Sequence, residues 1–174
     1  MREKLLLNKN LLETYSNVIS IHLSQLLNQL NSDLYSNGFC LGAYSPIKNE
    51  PIWWSSLKGN EYRDLAVVHM HDETKLSYHK ANIDSFKKDE YRLKLSEKST
   101  EVVPDVLLIP GLAFDDNFER LGRGKGYFDS YLRDFKGIKI GICFSFQLLK
   151  EVPKEKHDKS MDYIITDKKI YKRG

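Results

Sequence analysis

The 174-residue chain carries 27 Lys and Arg against 24 Asp and Glu, a net charge of +3, with 41% apolar residues. That is the content of one domain, residues 1–174, large enough to cover a sheet on both faces, and its scattered charges argue against a nucleic-acid surface while leaving room for a local anion pocket. Cys40 and Cys143, each inside an apolar run, exclude a disulfide or zinc framework and read as free thiols of a reducing compartment; the patch Leu5 to Leu7 is too short for a signal-peptide core and no run approaches membrane-spanning length, so a cytoplasmic protein with no membrane partner is expected.

From Tyr15 onward, Val18, Ile19, Leu23, Leu26, Leu27 and Leu30 fall at helical spacing and predict an amphipathic surface helix. His22 lies beside that face and reads as structural. Asn37-Gly38 then turns the chain into Phe39 to Tyr44, a short apolar strand that stops before Pro46. The loop Ser45 to Pro51 follows the C-terminal end of this strand, where open α/β sheets place their ligands, so Glu50 is a candidate contact; its plain alternative is a solvated loop carboxylate. Of Trp53 and Trp54, one is expected in the core and the other is a candidate flat wall for a bound ring. Leu65 to Met70 and Leu76 to Tyr78 read as further strands. Alternation puts His69 and His71 on one face with His79 nearby, but no third ligand of suitable spacing accompanies the pair, and a metal site is discounted there. Lys80 to Glu101 is charged and aperiodic, a peripheral helix or long loop.

Val106 to Ile109 is an unbroken apolar run between Pro104 and Pro110, the pattern of a central strand buried on both faces of a parallel sheet. A loop starts at Pro110-Gly111. Gly122, Gly124 and Gly126 then alternate with Arg123 and Lys125, after Arg120 and Leu121, so flexible backbone is interleaved with fixed positive charge. Glycine lets backbone N–H groups approach an anion closely, and the spacing of Tyr127, Phe128, Tyr131 and Leu132 predicts a helix whose N-terminus follows the loop. A Walker-type loop is excluded because Gly126 stands where Ser or Thr would follow Gly-Lys. The plain alternative is a flexible basic surface loop. Ile138 to Phe144 is another apolar strand, expected to pair in parallel with Val106 to Ile109 through a right-handed crossover. Val152 to Asp162 reads as a polar loop carrying His157 and Asp158, Tyr163 to Ile165 as a last short strand, and the basic tail from Lys168 to Gly174 as frayed.

Pro110-Gly111-Leu112-Ala113-Phe114-Asp115 followed by Arg120 to Asp129 closely resembles the signature of the 5-formyltetrahydrofolate cyclo-ligase family, also called methenyltetrahydrofolate synthetases. Gly141 to Gln147, Val152-Pro153, His157-Asp158 and Asp162 to Thr166 resemble that family's C-terminal pattern, so the likeness is dense over about the last two fifths of the chain and general before it. One departure lies inside the signature: Phe118 stands where the family has Gly, at the turn before Arg120.

The resemblance implies a single-domain three-layer α/β/α sandwich with a mostly parallel sheet, the cyclo-ligase (NagB/RpiA/CoA transferase-like) fold, in a monomer. It implies ATP- and Mg²⁺-dependent conversion of 5-formyltetrahydrofolate to 5,10-methenyltetrahydrofolate through an iminium phosphate, with release of ADP and phosphate. Arg120 to Phe128 (Arg120, Leu121, Gly122, Arg123, Gly124, Lys125, Gly126, Tyr127, Phe128) would bind ATP; Glu50, Arg123, Gly124, Lys125, Gly126 and Tyr127 the folate; Arg123, Lys125 and Tyr127 would act in catalysis. Asp129 and Asp158 would share the metal. The alternatives are a nucleotide- or folate-binding relative without turnover and an RNA-binding loop. Family members open with a helix carrying a Lys and, a turn later, an Arg that reach the ATP phosphates. Here Arg2, Lys4 and Lys9 are the only basic residues ahead of the first predicted helix, which implies weaker ATP binding than the family norm or a start codon assigned too late.

Overall fold

Alternate residues of the apolar run before Pro110 enter two different cores, Val106 and Leu108 on one side and Leu107 and Ile109 on the other, all four without solvent exposure. The computed structural model describes residues 9–47, 49–71, 75–84, 99–154 and 158–174. Along the chain these form α1 (Lys9–Asp33), β1 (Cys40–Ala43), β2 (Asp64–Met70), β3 (Leu76–Ala81), β4 (Glu101–Val102), β5 (Val106–Pro110), β6 (Ala113–Asp115) and β7 (Arg120–Leu121), then α2 (Tyr127–Leu132), β8 (Ile138–Ile142), β9 (Leu148–Leu149), β10 (Tyr163–Ile165) and β11 (Ile170–Lys172). The main sheet has the order β11-β10-β8-β5-β1-β2-β3-β4, parallel from β10 to β2 and antiparallel at both margins. Strand β5 lies between β8 and β1, the central position its sequence predicts.

One face of the sheet is covered by α1, whose Ile19, Leu23, Leu26, Leu27 and Leu30 are at most 2% exposed and pack with Leu41, Leu65, Val106 and Leu108. Full burial of such a side chain contributes about 1.5–3 kcal/mol, so the stripe fixes the helix on the sheet. Two buried hydroxyls on the same side hold the following chain: Ser16 Oγ accepts the Ile52 N–H at 3.2 Å and Ser20 Oγ the Ser56 N–H at 2.7 Å. His22 is structural as expected, its Nδ1 lying 2.8 Å from the Thr166 carbonyl oxygen.

The other face is thinner. It is covered by the six-residue α2, through Phe128 and Leu132, and by a small sheet of order β7-β6-β9 whose Phe114 is fully buried. That small sheet has no counterpart in the sequence reading, because strands of two or three residues are too short to show a period. The tail also differs from expectation. Ile170 to Lys172 pairs antiparallel with β10, with Ile170 packed on one core and Tyr171 on the other, so an edge strand replaces the frayed segment. Trp53 and Trp54 are both buried, 5.2 Å apart edge to face, and the Trp53 indole N–H donates to the Tyr44 carbonyl at 2.8 Å; neither is a free wall. Arg2 and Lys4 lie outside the described residues, as does most of the Lys80 to Glu101 stretch.

The turn that joins β6 to β7 explains why glycine belongs at its third residue. Phe118 has φ 64°, the left-handed region, which costs a bulky residue about 1–2 kcal/mol. Asp115 holds the turn in place nonetheless: its Oδ1 accepts the N–H of Asn117 at 2.9 Å and of Glu119 at 3.0 Å, and its Oδ2 accepts Val152 N–H at 3.0 Å. The carbonyl of Phe118 in turn accepts the Met161 N–H at 2.8 Å.

A different glycine is required by close approach. A β-carbon on Gly137 would sit 2.1 Å from the backbone oxygen of Asp105, the same oxygen that accepts the Ile138 N–H at 3.0 Å to start the β5–β8 pairing. Neither backbone can yield without breaking that register. Gly137→Ala is expected to destabilise the fold by about 3 kcal/mol or more, read as a lower denaturant midpoint at unchanged m-value. A midpoint within error of wild type would show that the two strand starts are free to separate.

Candidate active site

At the C-terminal ends of β1, β2 and β5 the chain leaves a cavity of about 1170 Å³. This exceeds the roughly 300–1,000 Å³ usual for one small molecule, so it has room for two ligands side by side. Three segments build it. After β1 come Tyr44 to Ile47 and Asn49-Glu50; after β5 comes Pro110-Gly111; the third wall is Arg120, Gly122, Arg123 and the run from Lys125 to Asp129. Leu12, Glu13 and Ser16 of α1 close one side, and Val68 and Met70 of β2 contribute apolar surface with Ile47 and Ile52. The result is a cavity with a cationic end and an apolar end.

The cationic end is the glycine-rich segment. Gly124 and Gly126 have φ 80° and 69°, and a β-carbon on either would meet nothing within 4 Å, so glycine is needed there for conformation and the backbone is open to a ligand. Gly126 is also the N-terminal cap of α2, and its carbonyl accepts the Ser130 N–H at 2.9 Å. Because α2 has only six residues, its dipole adds little, and the anion preference rests on the side chains and loop amides. Lys125 projects as an exposed side chain between the two glycines, and Arg123 is about half-exposed. Tyr127 lines the cavity while packing against the second core beside the buried Phe128.

Glu50 faces this segment across the cavity. Its carboxylate is only 8% exposed, yet Oε1 receives Arg123 Nη2 at 3.1 Å and Nε at 3.3 Å, and Oε2 accepts the Ile47 N–H at 3.1 Å. The turn that presents it closes with Glu50 N–H on the Ile47 carbonyl at 3.0 Å and has Asn49 at φ 71°, a conformation Asn tolerates better than most residues. The plain alternative of a solvated carboxylate is therefore set aside. Tyr44, at the base of the loop, is fully buried and donates its hydroxyl to the Pro51 carbonyl at 3.3 Å; burial first, then the nearby Glu50, pushes its phenol well above the usual value, so it stays neutral and offers no base.

The two predicted metal carboxylates are placed differently. Asp129 lines the cavity at 44% exposure, and its Oδ1 is engaged by the Arg120 guanidinium. Asp158 is partly buried in the segment after residue 157 and is not among the residues that line the cavity. His157 lies outside the described residues. On the β2–β3 hairpin, His71 Nε2 and His79 Nε2 share the Ser77 hydroxyl at 2.7 and 2.9 Å, and among the described residues no group of three His, Cys, Asp or Glu is arranged to hold a metal ion. Glu13, Ser16, Val68 and Met70 are cavity residues that the sequence reading missed. Nothing in their local pattern distinguishes them, since they reach the site only through the packing of α1 and β2 around it.

Comparison with known proteins agrees with this architecture. The chain matches the 5-formyltetrahydrofolate cyclo-ligase family over residues 55–167. It is 38% identical over 85 residues to the 5-formyltetrahydrofolate cyclo-ligase of Saccharomyces cerevisiae, covering 43% of this chain and 40% of that one, and 32% identical over 90 residues to the protein of that name from Escherichia coli, covering 46% and 50%. These alignments span half or less of the curated relatives. The solved structure of a 5,10-methenyltetrahydrofolate synthetase from Mycoplasma pneumoniae superposes over 95% of this chain and 93% of its own, with a TM-score of 0.72 at 24% identity, a likeness of fold.

Proposed function

This chain belongs to the 5-formyltetrahydrofolate cyclo-ligase family, and from that premise we propose that it converts 5-formyltetrahydrofolate and ATP to 5,10-methenyltetrahydrofolate, ADP and phosphate. The observation that carries the proposal is the two-ended cavity, in which a glycine-rich cationic segment faces a nearly buried carboxylate on the opposite loop. In this reading the formyl oxygen attacks the γ-phosphorus of ATP and ADP leaves. The resulting iminium phosphate is closed by the neighbouring amine, and loss of inorganic phosphate completes the ring. Such chemistry needs alignment and charge compensation more than a strong base.

Arg123 and Lys125 neutralise the phosphates and the charge that develops on the transferring group, while the amides of Gly124 and Gly126 can approach oxygens without a side chain in the way. Glu50 orients the folate ring, and Tyr127 flanks it from the wall of the cavity. The apolar end, with Ile47, Ile52 and Met70, covers the remainder of the folate and keeps water from the reacting atoms. The donor set fits Mg²⁺, because a hard cation that takes most of its ligands from phosphate and water needs only one or two carboxylates. Asp129 would hold it, with Asp158 as the second carboxylate by family resemblance; the ion supplies charge neutralisation on the phosphates when bound. A cytoplasmic monomer is part of the proposal. The free thiols of Cys40 and Cys143 suit a reducing compartment, and burial raises both, Cys40 to about 11, which makes them poor nucleophiles.

The test is to mix protein, 5-formyltetrahydrofolate, ATP and Mg²⁺ and follow the methenyl chromophore. Product in stoichiometry with ADP supports the proposal; ligand-dependent thermal stabilisation without product would make the protein a binding relative instead. Within this reading, Asp129→Asn is expected to raise the Mg²⁺ concentration for half-activity by about 10–100-fold. Adding Asp158→Asn should cost less than the sum of the two single changes if both act through one ion, and strict additivity would separate Asp158 from the metal.

A further inference from the structure

The carbonyls of the loop that follows β5 are taken one after another by side chains from elsewhere. Pro110 O accepts from Arg120 Nη1 at 3.3 Å, and the Gly111 and Leu112 carbonyls both accept from Gln147 Nε2, at 3.1 Å each. Gln147 stands in the short helical turn Ser145–Gln147 after β8, and its remaining polar atom is engaged as well, Oε1 accepting the Phe144 N–H at 2.8 Å. One amide thus uses both of its N–H groups and its oxygen on three backbone partners. The turn that carries it is rooted on the end of β10. There Asp167, 8% exposed, accepts the Ser145 N–H at 2.6 Å through Oδ1 and the Ser145 hydroxyl at 2.9 Å through Oδ2. Gly111 also lies against the fully buried Phe114 ring, so closely that a β-carbon would meet the ring at 2.8 Å. Pro110 and Gly111 line the cavity beside the cationic segment, whereas Gln147 does not line it, so the amide grips the wall from outside.

We propose that Gln147 is a positioning residue for the reaction: it fixes the Pro110-Gly111 wall and keeps the Gly111 and Leu112 carbonyls turned out of the cavity, so that no free carbonyl oxygen opposes an anion at the cationic end. The inference rests on the proposed reaction for the identity of that anion, the ATP phosphates. A carbonyl oxygen carries partial negative charge, and its repulsion of a phosphate is strong in a poorly solvated cavity. An amide is the neutral side chain that offers two N–H donors beside an acceptor. Ionised glutamate has no donor and leucine has no polar atom, so neither repeats the grip.

The test compares Gln147→Glu, Gln147→Leu and Gln147→Asn with wild type between about pH 6 and pH 8, where an ordinary carboxyl stays ionised. Each variant is checked by thermal unfolding and assayed well below its melting temperature. Methenyl product gives kcat and KM, inorganic tripolyphosphate affinity is measured separately, and every value is taken as a ratio to wild type at the same pH. At about pH 8 the glutamate sets two oxygens against two carbonyls, and a wall displaced by about 1 Å should lower turnover about a hundredfold, with most of the loss in kcat. Protonation returns one O–H donor, and the facing carbonyls favour the neutral acid, so protonation sets in above the usual carboxyl range and the ratio should recover about tenfold toward about pH 6. Gln147→Leu has nothing to protonate; it should stay low throughout, with tripolyphosphate affinity down about tenfold. A ratio for Gln147→Glu that does not change with pH would overturn the inference, as would a kcat for Gln147→Leu within about threefold of wild type, even with a lowered melting temperature, because either means the wall holds without the amide. Should Gln147→Glu be unfolded near the upper pH, Gln147→Asn decides. Its amide is one methylene too short to reach both carbonyls, so unchanged tripolyphosphate affinity overturns and a loss of about fivefold or more supports. A wild-type protein that makes no methenyl product would end the proposed reaction but not this inference, since tripolyphosphate affinity carries the same ranking and the same recovery with pH.

Discussion

Lys125→Ala is expected to lower turnover by about three orders of magnitude while leaving the melting temperature nearly unmoved. Lys125 is exposed between two glycines in the left-handed region, and among the described residues no hydrogen bond or ion pair holds it. A side chain with no packing and no partner has little to contribute to the folded state, and surface substitutions of this kind usually change stability by within about 0.5 kcal/mol. Its placement at the cationic end of the cavity leaves an anion as its use. At 4 Å from a phosphate oxygen near the surface, one such charge is worth about 4 kcal/mol before desolvation, and the part realised only as charge builds on the transferring group appears in the rate. Steady-state kinetics alongside thermal unfolding of the same preparation checks both halves. A near-normal rate would move the phosphate site away from this loop.

The contrast between Lys125 and Arg120 also marks where the sequence stops being legible. Both residues stand in one basic, glycine-rich signature, and both read there as phosphate contacts. Their difference in packing emerges only in the fold, because the Pro110 carbonyl, Phe128, Asp129 and Gly122 that lie against Arg120 come from segments on both sides of it. The same limit applies elsewhere. Val106 to Ile109 was legible as a central strand since alternate residues must satisfy two apolar faces, and α1 since its buried residues recur at helical spacing over several turns. Ile170 to Lys172 was not, because a single Ile-Tyr step among basic residues becomes a strand only when the free edge of β10 is there to pair with it. Phe118 shows the converse: the departure from the family pattern was visible, but its meaning, a left-handed residue braced by Asp115, required the backbone.

Glu50 carries the second large effect. Its carboxylate accepts from Ile47 N–H and from Arg123 at 8% exposure, so Glu50→Gln keeps the shape and one oxygen acceptor for the backbone donor while removing the charge. If the carboxylate orients the folate, this change should raise the KM for 5-formyltetrahydrofolate by about a hundredfold, the scale of a lost charge-assisted hydrogen bond in a desolvated site. The KM for ATP should move the other way or not at all. In the wild-type protein the Glu50 charge offsets that of Arg123; with glutamine, Arg123 adds its full charge to the phosphate end, an effect kept small by its 48% exposure. General damage to the cavity would instead raise both constants together, and that outcome would reduce Glu50 to a brace for the Arg123 loop.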